Sequence, residues 1–224
     1  MPSSPSSFLR AGSKFSGTQQ SELQQYKVQV EIKHVDMRES SLCGYLRIEG
    51  TDITSLSTTW IQAYFIKGLT EDHPTLTTYF DGEIIGSKYS FLTQHEDWGS
   101  TDKVDLQHWS KFSAFRPFQK EARKGSLHIP NLAQREHIFM RWKERFLVPD
   151  HRVRTISGAS FEGFYYICFN QVTGSVSGIY FHAKSEKCVI IQNLCMARLS
   201  AFRFQQLELH HMEDRGCFGA LEFR

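Results

Sequence analysis

The chain has 224 residues, 40% of them hydrophobic, with 26 basic and 24 acidic side chains for a net charge of +2. That length buries one good core, so one domain is expected, and the near-neutral balance, without a basic block or stripe, argues against a nucleic-acid or anionic-membrane binder. The 18 Phe and 8 Tyr, set among few periodic helical stretches, point to a mainly β body.

The five cysteines (Cys43, Cys168, Cys188, Cys195 and Cys217) form no CxxC pair. An odd, scattered set suits reduced thiols better than a disulfide framework. No apolar run reaches the ~18 residues that would span a bilayer. The opening MPSSPSSFLRAG lacks the apolar centre of a signal peptide. The expectation is a soluble, cytoplasmic protein, with the nucleus and vesicle surfaces as alternatives.

Residues 1–11, rich in Ser and Pro, read as a loose tail, and 12–224 as the domain. Gly12–Gly17 begins like a phosphate loop, but Thr18 and Gln19 stand where Lys and Ser/Thr are required. From Tyr26 the alternation is clear. Tyr26, Val28, Val30 and Ile32 face one way and Lys27, Gln29, Glu31 and Lys33 the other, a strand buried on one face. Cys43–Glu49 repeats the habit and ends at Gly50. Thr75–Phe80 and Glu83–Ile85, split by Asp81-Gly82, read as a hairpin with a primed turn.

Charge rises over 95–136, and Val104–Phe112 has helical spacing with Asp102 available as a cap. Short helices or long loops over one end of a sheet are expected there. Ile138–Trp142 and Phe164–Phe169 are strongly β-prone runs flanking a turn-rich segment with Pro149, Gly158 and Gly163. Gly174–His182, Gln206–His210 and Ala220–Phe223 read as further strands. Seven or eight strands, little helix and no internal repeat predict a single, roughly eight-stranded antiparallel β-barrel. The interior of such a barrel is just large enough for one small ligand.

Catalytic patterns fail one by one. Ser160 lies in Gly158-Ala159-Ser160-Phe161-Glu162, and Glu162 occupies the glycine position of a nucleophile elbow. His210-His211 with Asp214 and Cys217 could be imagined round a metal, yet adjacent histidines on a strand point to opposite faces. Glu71-Asp72 and Glu96-Asp97 sit in polar stretches, where solvated charge is the default. No nucleophile–base–orienter set can be assembled, so no enzyme, cofactor or metal is expected. What stands out is Glu144, hemmed in by Trp142, Phe146 and Leu147. A carboxylate among large apolar residues costs several kcal/mol to bury unless a cation or donors meet it. Either Arg141 or Arg145 pairs with it at the surface, or it awaits a cation from outside such as a ligand amine. The residue pattern leaves both open.

FMRWKERFLVPDH (139–151) followed by ISGASFEGFYYICF (156–169) resembles the vacuolar import and degradation family, the substrate receptors of the glucose-induced-degradation (CTLH) ubiquitin ligase. GSKFSGTQQS (12–21), HPTLTTYFDGEIIG (73–86) and the closing EFR point the same way. The resemblance implies a calycin/lipocalin-like barrel with inserted helices and no catalysis of its own. It further implies a receptor for proteins that begin with proline or another small or apolar residue, gluconeogenic enzymes among them, sending them to the proteasome. Carried over residue by residue, it implies that Glu144 takes the N-terminal ammonium. Tyr165 and Gln19 would complete the polar side, and Ser160 and Phe161 would line the mouth. Val28, Leu46, Ile48, Leu69, Leu76 and Leu147 would form apolar walls, although barrel core is an equally good reading of each. Tyr180 and Gln205 would meet the following peptide residues. Leu221, Glu222, Phe223 and Arg224 would dock into a helical-repeat scaffold subunit. The competing reading is a barrel-type carrier of a small hydrophobic ligand, which would tolerate loss of the Glu144 charge.

Two apolar spans, 51–67 and 188–203, depart from the family's pattern, and removing both restores an uninterrupted match. Codons for Gly50, for Lys67-Gly68, for Lys187-Cys188 and for Arg203 can supply GT and AG splice signals at both junctions. Both spans therefore read as short in-frame introns carried into the protein sequence. Sequencing of mature transcripts is expected to show messages without them; messages containing both would refute the idea.

Overall fold

Alternation of apolar and polar side chains, the period of a pleated strand, accounts for most of the architecture. A computed structural model describes residues 8–20, 25–50, 75–125, 129–131, 134–153, 161–183 and 205–213. Eight strands follow one another: β1 (Lys14–Gln20), β2 (Gln25–Asp36), β3 (Ser41–Gly50), β4 (Thr75–Ile84), β5 (His137–Leu147), β6 (Phe164–Asn170), β7 (Ser175–Phe181) and β8 (Gln205–His211). Each pairs antiparallel with the next, and β8 pairs with β1, so the sheet closes into a barrel. Closure leaves no sheet edge unpaired.

The alternating residues of β2, Val28, Val30 and Ile32, are fully buried inside the barrel. They pack with Leu46, Phe80, Ile138, Met140, Trp142, Ile167, Phe169, Leu207 and Leu209. One end of this interior is plugged. Leu9 joins the same cluster, and the Phe8 ring lies edge-on to His211 with centroids 5.0 Å apart.

One strand was not anticipated, and two expectations need correction. β1 occupies the stretch tested above as a phosphate loop, and it supplies the strand that closes the barrel. Asp81-Gly82 is not a turn: β4 runs unbroken through it. A Cβ on Gly82 would lie 2.7 Å from Leu42 Cδ2 and 2.9 Å from Trp142 Cδ1, so the glycine makes room for the indole. The helix α1 (Asp102–Trp109) starts two residues before the predicted segment and is capped by Thr101, whose hydroxyl accepts the Val104 N–H at 3.4 Å. The predicted strand Ala220–Phe223 and the spans 51–67 and 188–203 lie outside the described residues.

The helical region wraps the outer wall of β5–β7 rather than an end of the sheet. α1, the 3-10 segments Glu96–Trp98 and Ser113–Phe118, and the short helix α2 (Gln119–Ala122) belong to this layer. Phe91, Trp98, Trp109 and Phe115 pack there on Phe139, Phe164, Tyr166 and Phe181. β5 and β6 are thus buried on both faces, which explains why both read as nearly continuous hydrophobic runs.

Two buried polar knots fasten the layer. Asp105 accepts from the Thr93 N–H, from the Thr93 and Ser100 hydroxyls at 3.0 and 2.7 Å, and from the Tyr166 hydroxyl at 2.6 Å. Arg141, 1% exposed, meets Glu83 at 2.8 Å and donates to the carbonyls of Phe91 and Ser90 at 3.2 and 3.0 Å. Removing one partner of such a pair leaves the other charge buried. Arg141→Met should therefore lower unfolding stability by about 3–5 kcal/mol in urea denaturation. A loss under about 1 kcal/mol, the range of an exposed pair, would refute that assignment.

Candidate functional site

The candidate site is built round β5, at the end of the barrel away from Leu9 and Phe8. Ile138, Met140 and Trp142 point inward at every second position, and Glu144 follows in the same register. Phe80 pairs with Glu144 but Tyr79 pairs with Phe146, so Arg145 is an extra residue in β5. This bulge resets the alternation. Arg145 turns outward to Asp81, 2.8 Å away, while Leu147 returns to the inside. Glu144 therefore pairs with neither Arg141 nor Arg145, and the surface ion pair is ruled out.

Glu144 is 2% exposed. The Thr78 hydroxyl donates to its Oε1 at 3.0 Å. Its Oε2 is buried and has no hydrogen-bond partner among the described residues. Burial pushes the carboxyl up to about 7, outweighing the Thr78 and Tyr180 hydroxyls, the Lys143 charge and the Gly163 N–H, all of which favour the ionised form. The Trp142 Nε1–H, two residues further in, is likewise buried with no partner among the described residues.

Beside the carboxylate runs a polar arc. The Tyr165 hydroxyl donates to Gln19 Oε1 at 2.9 Å, and Gln19 Nε2 donates to Gln205 Oε1. The rings of Tyr165 and Tyr180 lie 4.8 Å apart, and the Gly163 N–H donates to the Tyr180 hydroxyl at 3.2 Å. Burial, with the Glu144 charge adding to it, holds the Tyr165 hydroxyl well above its usual range, so it stays a donor. Strand pairing fixes the arc, since Tyr165 is opposite Tyr180 and Tyr180 opposite Gln205 on consecutive strands.

The structure thus gathers Glu144, Tyr165, Gln19, Tyr180 and Gln205 at one end of the barrel. Leu76, Leu147 and Phe161 form a separate apolar cluster beside Thr78. Val28, Leu46 and the partly buried Ile48 belong instead to the main interior cluster, as the core reading allowed. Ser160, Leu69 and Leu221–Arg224 lie outside the described residues. Three contributors were missed in the sequence. Thr78, between Leu76 and Phe80 on the inward face of β4, could have been found as a hydroxyl on an otherwise apolar stripe. Gly163 gives no such signal, because its N–H matters and its side chain does not. Trp142 resembles any core aromatic. Among the described residues no cluster of His, Cys, Asp or Glu could hold a metal ion, and no helix is long and apolar enough to cross a membrane.

A closed antiparallel barrel, plugged by Leu9 and Phe8 at one end and with a buried carboxylate and hydroxyls gathered at the other, is the class of protein that the fold and site define. The chain belongs to the family described as vacuolar import and degradation protein, whose sequence profile matches residues 8–67 and 57–198. The two matches overlap in 57–67, within the first of the two divergent spans. The mouse glucose-induced degradation protein 4 homolog is 45% identical over 185 residues, covering 83% of this chain and 76% of its own. The GID complex substrate-recognition subunit 4 of Schizosaccharomyces pombe is 32% identical over 194 residues, covering 83% and 90%. Its namesake in Saccharomyces cerevisiae is 30% identical over 250 residues, covering 90% and 62%.

Because the Glu144 carboxyl ionises near 4.5 when unfolded but near 7 when folded, the unliganded fold weakens as pH rises through that window. The penalty is complete above pH 7 and absent below 4.5. Glu144→Gln, which stays neutral, should be more stable than the parent by about 3 kcal/mol at pH 8 and equal to it at pH 4. Urea unfolding at both pH values tests this; a gain independent of pH would contradict it.

Proposed function

We propose that this chain is a non-catalytic substrate receptor of a GID-type ubiquitin ligase, capturing the free N-terminus of proteins that begin with proline or another small or apolar residue. The observation that carries the reading is Glu144 Oε2, a buried carboxylate oxygen with no hydrogen-bond partner among the described residues. An ammonium is a compact cation with donors to spare, and charge-assisted hydrogen bonds are strongest away from water. Tyr165, with Gln19 behind it, offers a hydroxyl beside the same position, and Tyr180 and Gln205 would meet the next peptide residues. Leu76, Leu147 and Phe161 would give an apolar wall for the first side chain; Ser160 and Leu69 are proposed as further contacts, and Val28, Leu46 and Ile48 would line the interior beneath.

The names of the Schizosaccharomyces pombe and Saccharomyces cerevisiae relatives place them in the GID complex, and the same assembly is proposed here. Residues 221–224 would dock on a helical-repeat scaffold, and captured proteins, gluconeogenic enzymes among them, would be ubiquitinated by other subunits for the proteasome. The cytoplasm is the proposed compartment.

Calorimetric titration with a short peptide beginning Pro-Gly, free and N-acetylated, tests the reading. The free peptide should bind and the acetylated one should not. Glu144→Ala should weaken binding by about a hundredfold, because one partner of a buried charge pair is removed. Affinity should be highest between pH 7 and about 8, where the carboxyl is ionised and an α-amine keeps its proton. Below that range it should fall toward tenfold per pH unit. A carrier of apolar molecules would instead take both peptides alike and tolerate Glu144→Ala. Should neither peptide bind, titration of a chain without 51–67 and 188–203 separates a spoiled mouth from a wrong reading.

A further inference from the structure

One cation at the mouth is not among the groups proposed to touch the amine. Lys143 precedes Glu144 and points out of the barrel, opposite Phe164 of the outer layer. It is 9% exposed, and burial lowers its pKa. A lysine kept for solubility holds its ammonium in water. This one donates to the Glu162 carbonyl and, at 3.4 Å, to the Gly163 carbonyl. Asp97, Arg145, Glu162 and His182 share the outer cavity it borders, and Glu144 is its neighbour in β5. Yet among the described residues its hydrogen bonds run to main-chain carbonyls and it makes no ion pair.

The carbonyls it holds belong to a three-residue strap, Phe161–Gly163, that enters β6. Phe161 is buried on Leu76 and Leu147 at the mouth. Glu162 has φ 77°, a left-handed conformation that a residue with a side chain adopts only when held. Gly163 touches the site three ways. Its N–H donates to Tyr180, its carbonyl accepts the Glu144 N–H at 3.1 Å, and a Cβ on it would lie 2.4 Å from the Tyr180 hydroxyl. The inner edge of the strap thus meets two proposed ligand groups, and its outer edge is tied by Lys143.

We propose that Lys143 is a positioning residue for the mouth: by gripping the Glu162 and Gly163 carbonyls it seats the strap against Tyr180 and Glu144, and so sets the affinity for an N-terminal amine. This rests on the amine-capture reading. The ammonium also acts through space, its charge favouring the ionised form of Glu144.

The test is titration of the full chain with the free Pro-Gly peptide across pH 5.5–8.5, for the parent, Lys143→Met and Lys143→Arg. Methionine keeps most of the apolar stem and removes the donor and charge. Lys143→Met should bind about tenfold more weakly at pH 7.5, as expected on losing a charge-assisted hydrogen bond. The midpoint of its acid limb should move to higher pH, because Glu144 loses a favourable charge. Lys143→Arg keeps charge and donors and should restore most of the affinity and the parent midpoint. Unchanged affinity and midpoint in Lys143→Met would overturn the proposal while leaving amine capture intact. So would a weakening with an unmoved midpoint that Lys143→Arg shares, since that marks a packing role. A parent chain that fails to bind the free peptide would overturn the amine-capture reading itself.

Discussion

A carboxylate held inside an apolar barrel, with one oxygen unpaired among the described residues, is the interaction on which the rest of the structure depends. Water is the best solvent for such a group, and every ångström of burial raises the free energy of its charged form. Thr78, Tyr180, Lys143 and the Gly163 N–H offset only part of this, and the carboxyl remains poised near 7. The surrounding fold keeps the group from escaping. The Arg145 bulge fixes which way β5 faces, and the doubly buried β5–β6 pair keeps Glu144 from turning through the sheet to the outer surface.

The outer layer makes this arrangement rigid. Glu144 stands three residues beyond Arg141, which is locked to Glu83 and two carbonyls, and the adjacent strand is tied through Tyr166 to Asp105. Inside, the tyrosine one residue earlier in β6 carries the polar arc through Gln19. Alternate residues of the same two strands thus serve opposite masters, odd and even positions dividing between anchoring and binding. That division is why the strands read as one hydrophobic block and why the site was hidden within it.

Much of the barrel was legible because its cause is local. The alternation from Tyr26 to Lys33 and the aromatic runs of β5 and β6 fixed strand positions without knowledge of partners. The failures have a common physical source. Gly82 serves an indole from another strand, so a local rule turned a packing glycine into a turn. The strand at Lys14–Gln20 lacks a strong apolar stripe and owes its place to pairing with β2 and β8. At the site, Glu144, Tyr165 and Gln19 were reachable through the family resemblance. Their convergence with Thr78 and Gly163 depends on register, a property of pairs of strands rather than of either sequence alone.

The plug formed by Leu9 and Phe8 with His211 has its own consequence. A tube open at both ends can be threaded by the middle of a polypeptide, but a cul-de-sac cannot. On the amine-capture reading, a chain that reaches the Glu144 carboxylate would have to arrive tip first and leave by the same end. On that reading, discrimination between the beginning of a protein and its interior would be a matter of geometry before it is one of charge, and a chain would become visible to the receptor only when processing had exposed a new end.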